Sequence, residues 1–238
     1  MQSFKKYWPI FLIIVGLLIV GGAAYFVLGR GSSDEIIDEE EQVAEIPADM
    51  RPTASLTPTE DGHYLNLRIS DIRIEAASLD YEILYQTAAG ITQGVPGTAM
   101  LTGDSVEREI LLGSESSGKF RYDEGVQEGT LTLRFRNEKG KLVGKLSTQW
   151  HLQNDTNKIS SADDNFGFSL EESSDAWFVT MQTFGPYKQG VDSTPYGVFS
   201  SDPNLSGEVD LSGVVYKWMD GSWGEISGPT TPGIFISE

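Results

Sequence analysis

The apolar positions of this chain change their spacing twice. From Trp8 to Leu28 they form one run, Trp-Pro-Ile-Phe-Leu-Ile-Ile-Val-Gly-Leu-Leu-Ile-Val-Gly-Gly-Ala-Ala-Tyr-Phe-Val-Leu, with no charge inside it. At ~1.5 Å rise per residue a helix of this length spans ~30 Å, the thickness of a bilayer's hydrocarbon core. The run predicts one transmembrane helix over residues 8–28, with the lipid bilayer as its partner. From about Gly31 to Gly62 the pattern disappears. A Gly-Ser opening, an acidic run and Pro47, Pro52 and Pro58 amid Thr and Ser predict a solvated linker over residues 31–62. If flexible, a spacer of this length has an r.m.s. span of ~30 Å, which its prolines lengthen.

Beyond the linker the period becomes two. Leu65, Leu67 and Ile69 alternate with Asn66, Arg68 and Ser70, then Ile72 and Ile74 resume in the opposite phase, which predicts a bend near Ser70-Asp71. Leu79, Tyr81, Ile83 and Tyr85 form a second alternating set. A hairpin is predicted from Thr130 to Leu152, turning at Asn137-Glu-Lys-Gly140. Leu131, Leu133 and Phe135 face inward on one arm, and Leu142, Leu146, Trp150 and Leu152 on the other. No amphipathic helix of useful length is present, so the spacing predicts an antiparallel β-sandwich over residues 63–153. A polar stretch from Asn154 to Asp164 reads as a linker or long loop, and residues 165–238 as a second small β domain rich in aromatics.

Charge sets the orientation. Lys5 and Lys6 precede the apolar run, whereas the first twenty residues beyond Arg30 carry eight acids and no base. The positive-inside bias places residues 1–7 in the cytoplasm as a short tail and the C-terminal domains outside a cell membrane crossed once. A cleaved signal peptide is the alternative, because Gly21-Gly-Ala-Ala24 offers small residues to a peptidase; Tyr25-Phe-Val-Leu28 continues the run and favours an uncleaved anchor. Cysteine is absent from the chain, which excludes disulfides and lipid attachment through a thiol. The net charge is −18 overall, and beyond residue 30 it is −21, with 14 basic against 35 acidic residues. Such a surface repels phosphate backbones, so nucleic acid is excluded as a partner, while an extracellular glycan or a protein remains compatible.

Candidate chemistry is sparse. If Asp220-Gly221 makes a two-residue type I′ turn, Met219 pairs with Ser222 and Trp218 lies opposite Trp223. With Tyr216, these rings would stack on one face, as core cover or as a platform for a sugar. Asp202, Asn204, Ser206 and Asp210 have the spacing of the first half of a calcium loop, with Gly207 in sixth place. The closing acid is missing, Pro203 interrupts the loop and no helices flank it. The two histidines, His63 and His151, stand in no array with metal-ligand spacing and read as surface residues. No catalytic constellation is evident, so the chain is read as a non-enzyme that needs no cofactor.

Leu79-Asp-Tyr-Glu-Ile-Leu-Tyr-Gln-Thr87 and Gly129-Thr-Leu-Thr-Leu-Arg-Phe-Arg-Asn-Glu-Lys-Gly140 resemble the central strand and a later strand of fibronectin type III and related immunoglobulin-like modules. The tyrosine usually placed just before that later strand's alternation is absent, and Leu131 stands near it. The resemblance covers under half the chain and implies architecture and an extracellular spacer or binding habit, not an activity. The expectation is a mostly β, single-pass membrane protein presenting an immunoglobulin-like sandwich and a second β domain outside. Its function would be binding or adhesion; the alternative is a structural subunit of an envelope-spanning assembly.

Overall fold

Alternation begins earlier in the folded chain than its pattern suggested. A computed structural model describes residues 43–238. In it Thr53–Pro58, placed above within the linker, is a strand with Ala54, Leu56 and Pro58 buried. Three inward positions suffice because the following strand supplies the whole ladder, from Thr53 opposite Ser70 to Pro58 opposite Leu65. Pro58 closes the strand, where its missing N–H breaks no interior hydrogen bond. The expected transmembrane helix at 8–28 and the start of the linker lie outside the described residues. Among the described residues no helix is long and apolar enough to cross a membrane.

The structure is mostly antiparallel β, with one 3-10 turn at Ala48–Met50. The first strands are β1 (Thr53–Pro58), β2 (Tyr64–Ser70), β3 (Ser78–Gln86), β4 (Thr92–Met100), β5 (Val106–Leu111), β6 (Gly113–Ser116), β7 (Lys119–Tyr122), β8 (Glu128–Arg136) and β9 (Leu142–Gln153). The remainder are β10 (Thr156–Ser160), β11 (Gly167–Ser174), β12 (Phe178–Gln182), β13 (Tyr196–Ser200), β14 (Gly207–Asp210), β15 (Val215–Met219), β16 (Ser222–Glu225) and β17 (Gly233–Ser237). A nine-stranded sheet runs in the order β16-β15-β17-β13-β12-β9-β8-β3-β4. Two three-stranded sheets, β1-β2-β5 and β10-β11-β14, and the hairpin β6-β7 accompany it.

The expected β8–β9 hairpin is present. Leu131, Leu133, Phe135 and Trp150 are fully buried, Leu142 and Leu152 nearly so, and Asn137 and Gly140 close the turn. The bend after β2 is also present: Asp71 adopts a left-handed backbone (φ 57°), and Ile72 and Ile74 pack on the core outside any strand.

The two expected domains share the large sheet. β9 pairs with β8 on one side and with β12 on the other, from Gln153 opposite Phe178 to Trp150 opposite Met181. Residues 43–238 form one compact unit containing two cores. Strand β12 shows how. Val179 and Met181 join the first core with β1, β2 and β5, whereas Phe178 joins the second with β10 and β11. Side chains alternate across a strand, so the two small sheets cover opposite faces of the large one, at its two ends. Around β12 both faces are covered, and each buried Val, Phe or Met there contributes ~1.5–3 kcal/mol.

The polar stretch 154–164 is not a free linker. Gln153 brackets the Ser160 backbone, donating from Nε2 to its carbonyl (2.9 Å) and accepting its N–H at Oε1 (3.1 Å), while Ile159 is buried in the second core.

Candidate functional site

Beside the end of the shared strand β9, three connections converge on an open cavity of about 680 Å³. They are the β1–β2 turn, the β7–β8 loop and the β9–β10 turn. Trp177, just before β12, completes the wall.

The β1–β2 turn is built by Asp61. Its Oδ1 accepts from the Thr59 hydroxyl (2.6 Å) and the His63 N–H (3.1 Å), and its Oδ2 lies 3.1 Å from His63 Nδ1. The Thr59 hydroxyl first, then the His63 N–H, hold the Asp61 carboxyl below its ordinary range. Gly62 is required here twice over. Its φ is +69°, and a Cβ would sit 2.3 Å from the Trp177 indole, so the turn lets the indole lie against the backbone.

Strand β7 brings Tyr122 against His63, the rings stacked at 3.8 Å with planes 5° apart; Phe120 continues the row at 6.3 Å. The following loop is pinned by backbone bonds from Asp123 to Leu112 (3.0 Å), from Ala88 to Glu124 (2.8 Å) and from Leu152 to Gln127 (2.6 Å). Asp123 Oδ2 accepts from the buried Tyr85 hydroxyl at 2.9 Å. Burial, then this carboxylate acceptor, push the Tyr85 phenol well above its ordinary value, so Tyr85 stays a neutral donor.

His151 enters from the far side. Its Nδ1 lies 3.0 Å from the Ser160 carbonyl, which only accepts, so Nδ1 carries a proton and donates to it. The two histidines, 88 positions apart, thus line one cavity. No spacing rule links them; the sheet topology does. Among the described residues neither imidazole meets a serine or threonine hydroxyl, and no group of three His, Asp or Glu is placed to hold a metal ion.

The aromatic hairpin has the expected register. Met219 pairs with Ser222 and Trp218 with Trp223 across Asp220 (φ 49°) and Gly221 (φ 82°), as a type I′ turn requires. Its rings do not stack: Trp218 and Trp223 meet edge to face, 5.2 Å apart at 65°. Trp223 Nε1 donates to the Tyr187 carbonyl (3.2 Å), and Lys188 Nζ sits 4.1 Å over the Tyr216 ring while pairing with Glu238 at 2.9 Å. The chain's own 185–190 segment therefore engages the Trp223 N–H and the Tyr216 ring.

Two of the calcium-spaced residues, Asp202 and Asn204, bond to each other in a local turn. Asp202 Oδ1 accepts from the Asn204 backbone (2.9 Å) and side chain (3.2 Å), Ser206 is exposed, and Asp210 pairs with Gly167 at the end of β14.

No family model matches the chain, and no curated protein or solved structure matches it significantly.

Proposed function

We propose that the chain is a membrane-anchored extracytoplasmic binding protein without catalytic activity, held by residues 8–28 and receiving its ligand in the groove between His63 and His151. The groove carries the reading. It is a preformed cavity in which polar side chains from three separate connections converge beside aromatic rings, the usual constitution of a ligand site. Both imidazoles are tied to an aspartate or a backbone carbonyl rather than to a nucleophile, which favours binding over acyl transfer.

The immunoglobulin-like assignment of the first half belongs to the same proposal. The order β1-β2-β5 facing β4-β3-β8-β9 supports it, because β1, β2 and β5 take the places of strands A, B and E, and β3, β4, β8 and β9 those of C, C′, F and G. The strands that carried the sequence resemblance, β3 and β8, stand side by side in the centre, with Tyr81 opposite Leu133. Such a module on an acidic spacer suits presentation of a site away from a membrane.

Cell fractionation tests the anchoring. The full-length chain is expected in the alkaline-carbonate pellet, with residues beyond 62 digested by protease added to intact cells. A chain found in the soluble fraction, or one protected from external protease, contradicts the proposal.

A further inference from the structure

We propose that the groove takes a lysine or arginine side chain from a basic segment of a protein partner. This rests on the binding reading above and names the ligand class. Asp61, Asp123 and Glu124 line the cavity, and no lysine or arginine does. Asp61 is committed to Thr59 and His63, but Asp123 uses only Oδ2, and among the described residues neither it nor Glu124 is paired with a cation. Arg121 does not line this cavity; it lines a second hollow whose wall also includes Tyr122, Asp123 and Glu124, and it forms no ion pair with either acid.

Two further features fit a cation. Tyr122 and Trp177 line the same cavity, and an ammonium or guanidinium within ~6 Å of such rings is drawn to their negative faces. A peptide segment suits the site better than a free amine, because a lone ammonium fills little of 680 Å³. The surrounding field also favours a polycation: residues 43–238 hold 29 acidic against 14 basic side chains.

Diffuse attraction of any polycation must be separated from capture in the groove. The full-length protein in nonionic detergent would be titrated with dye-labelled acetyl-(Gly-Lys)4-amide at physiological salt and followed by fluorescence anisotropy. Two charge-matched double variants are compared. Asp123→Asn with Glu124→Gln removes two groove charges while keeping an acceptor for Tyr85; Asp220→Asn with Glu225→Gln removes two at the far edge of the large sheet. The groove variant is expected to weaken binding by about tenfold or more, and the edge variant by less than about threefold, with unchanged thermal unfolding in both. Equal losses in the two variants, or none in either, overturn the proposal. A neutral cello-oligosaccharide that binds and is lost with Tyr122→Ala, while the peptide does not bind, overturns the cationic ligand and leaves the binding reading standing. Neither probe binding overturns both.

Discussion

The β15–β16 hairpin carries Tyr216, Trp218 and Trp223; the groove carries His63, Tyr122, His151 and Trp177. Both sites are aromatic and half exposed, yet they differ in what remains for a partner. At the hairpin the indole N–H, the tyrosine ring and the nearby lysine are satisfied by the chain's own Tyr187, Lys188 and Glu238. At the groove the histidines are fixed from behind, and Asp123 Oδ1 and the Glu124 carboxylate stay open. Aromatic density therefore accompanies packing at the hairpin, and unmet hydrogen-bonding and charge capacity is what singles out the proposed site.

The largest effect expected to sharpen this contrast comes from the seam beneath the groove. Phe178 is fully buried in the second core on the strand that also serves the first. Phe178→Ala should cost about 3–5 kcal/mol and move one common unfolding transition. Two separate transitions in calorimetry, with only one shifted, would show that the halves are independent.

Next comes Gly62→Ala, which places a Cβ against the Trp177 indole and forces an alanine into φ +69°. A loss of about 2–3 kcal/mol is expected, together with weakened peptide binding. Full affinity in a folded Gly62→Ala protein would remove Trp177 from the site.

Smaller effects follow from the open polar face and the hairpin. Asp80 binds Arg136 Nε at 2.6 Å and the Thr98 hydroxyl at 2.7 Å. Burial alone would raise its carboxyl, but Arg136 and Thr98 outweigh that and hold it below the ordinary value. A depressed pKa contributes stability above the unfolded value of ~3.9 and loses it as pH falls through the folded one. Asp80→Asn should thus cost about 1 kcal/mol at pH 7, discounted for partial exposure, and progressively less as the pH falls below about 3.9 in chemical denaturation. Trp218→Ala is expected to cost roughly 0.5–1.5 kcal/mol through the lost edge-to-face pair, and to leave peptide binding intact. Loss of binding at unchanged stability would return the site to the hairpin.

Local pattern was legible wherever period two and turn chemistry agreed. The Trp218–Trp223 register followed from Asp220-Gly221, and the β8–β9 hairpin from its inward leucines. What the pattern hid was long-range. Thr53–Pro58 carries too few apolar residues to stand out, and the pairing of β9 with β12 leaves no trace in spacing, so one shared sheet read as two domains. Lys217 hid for a different reason. It alternates like an exposed residue, yet it is buried, with Nζ donating to Thr230 Oγ1 (3.1 Å), Thr231 O (2.8 Å) and Thr231 Oγ1 (2.8 Å). The groove was the least legible part. His63 and His151 each looked solitary, and only the fold brings them to one cavity. One signal was present: a Gly with an aspartate before it and a histidine after it, at the entrance to the first alternating run.

Amide hydrogen exchange of the full-length protein, with and without the lysine peptide, tests the placement of the site most directly. Slowed exchange is expected in residues 61–63, 122–127 and 151–156, with none at 216–225. Protection confined to the hairpin, with the groove unchanged, would contradict it.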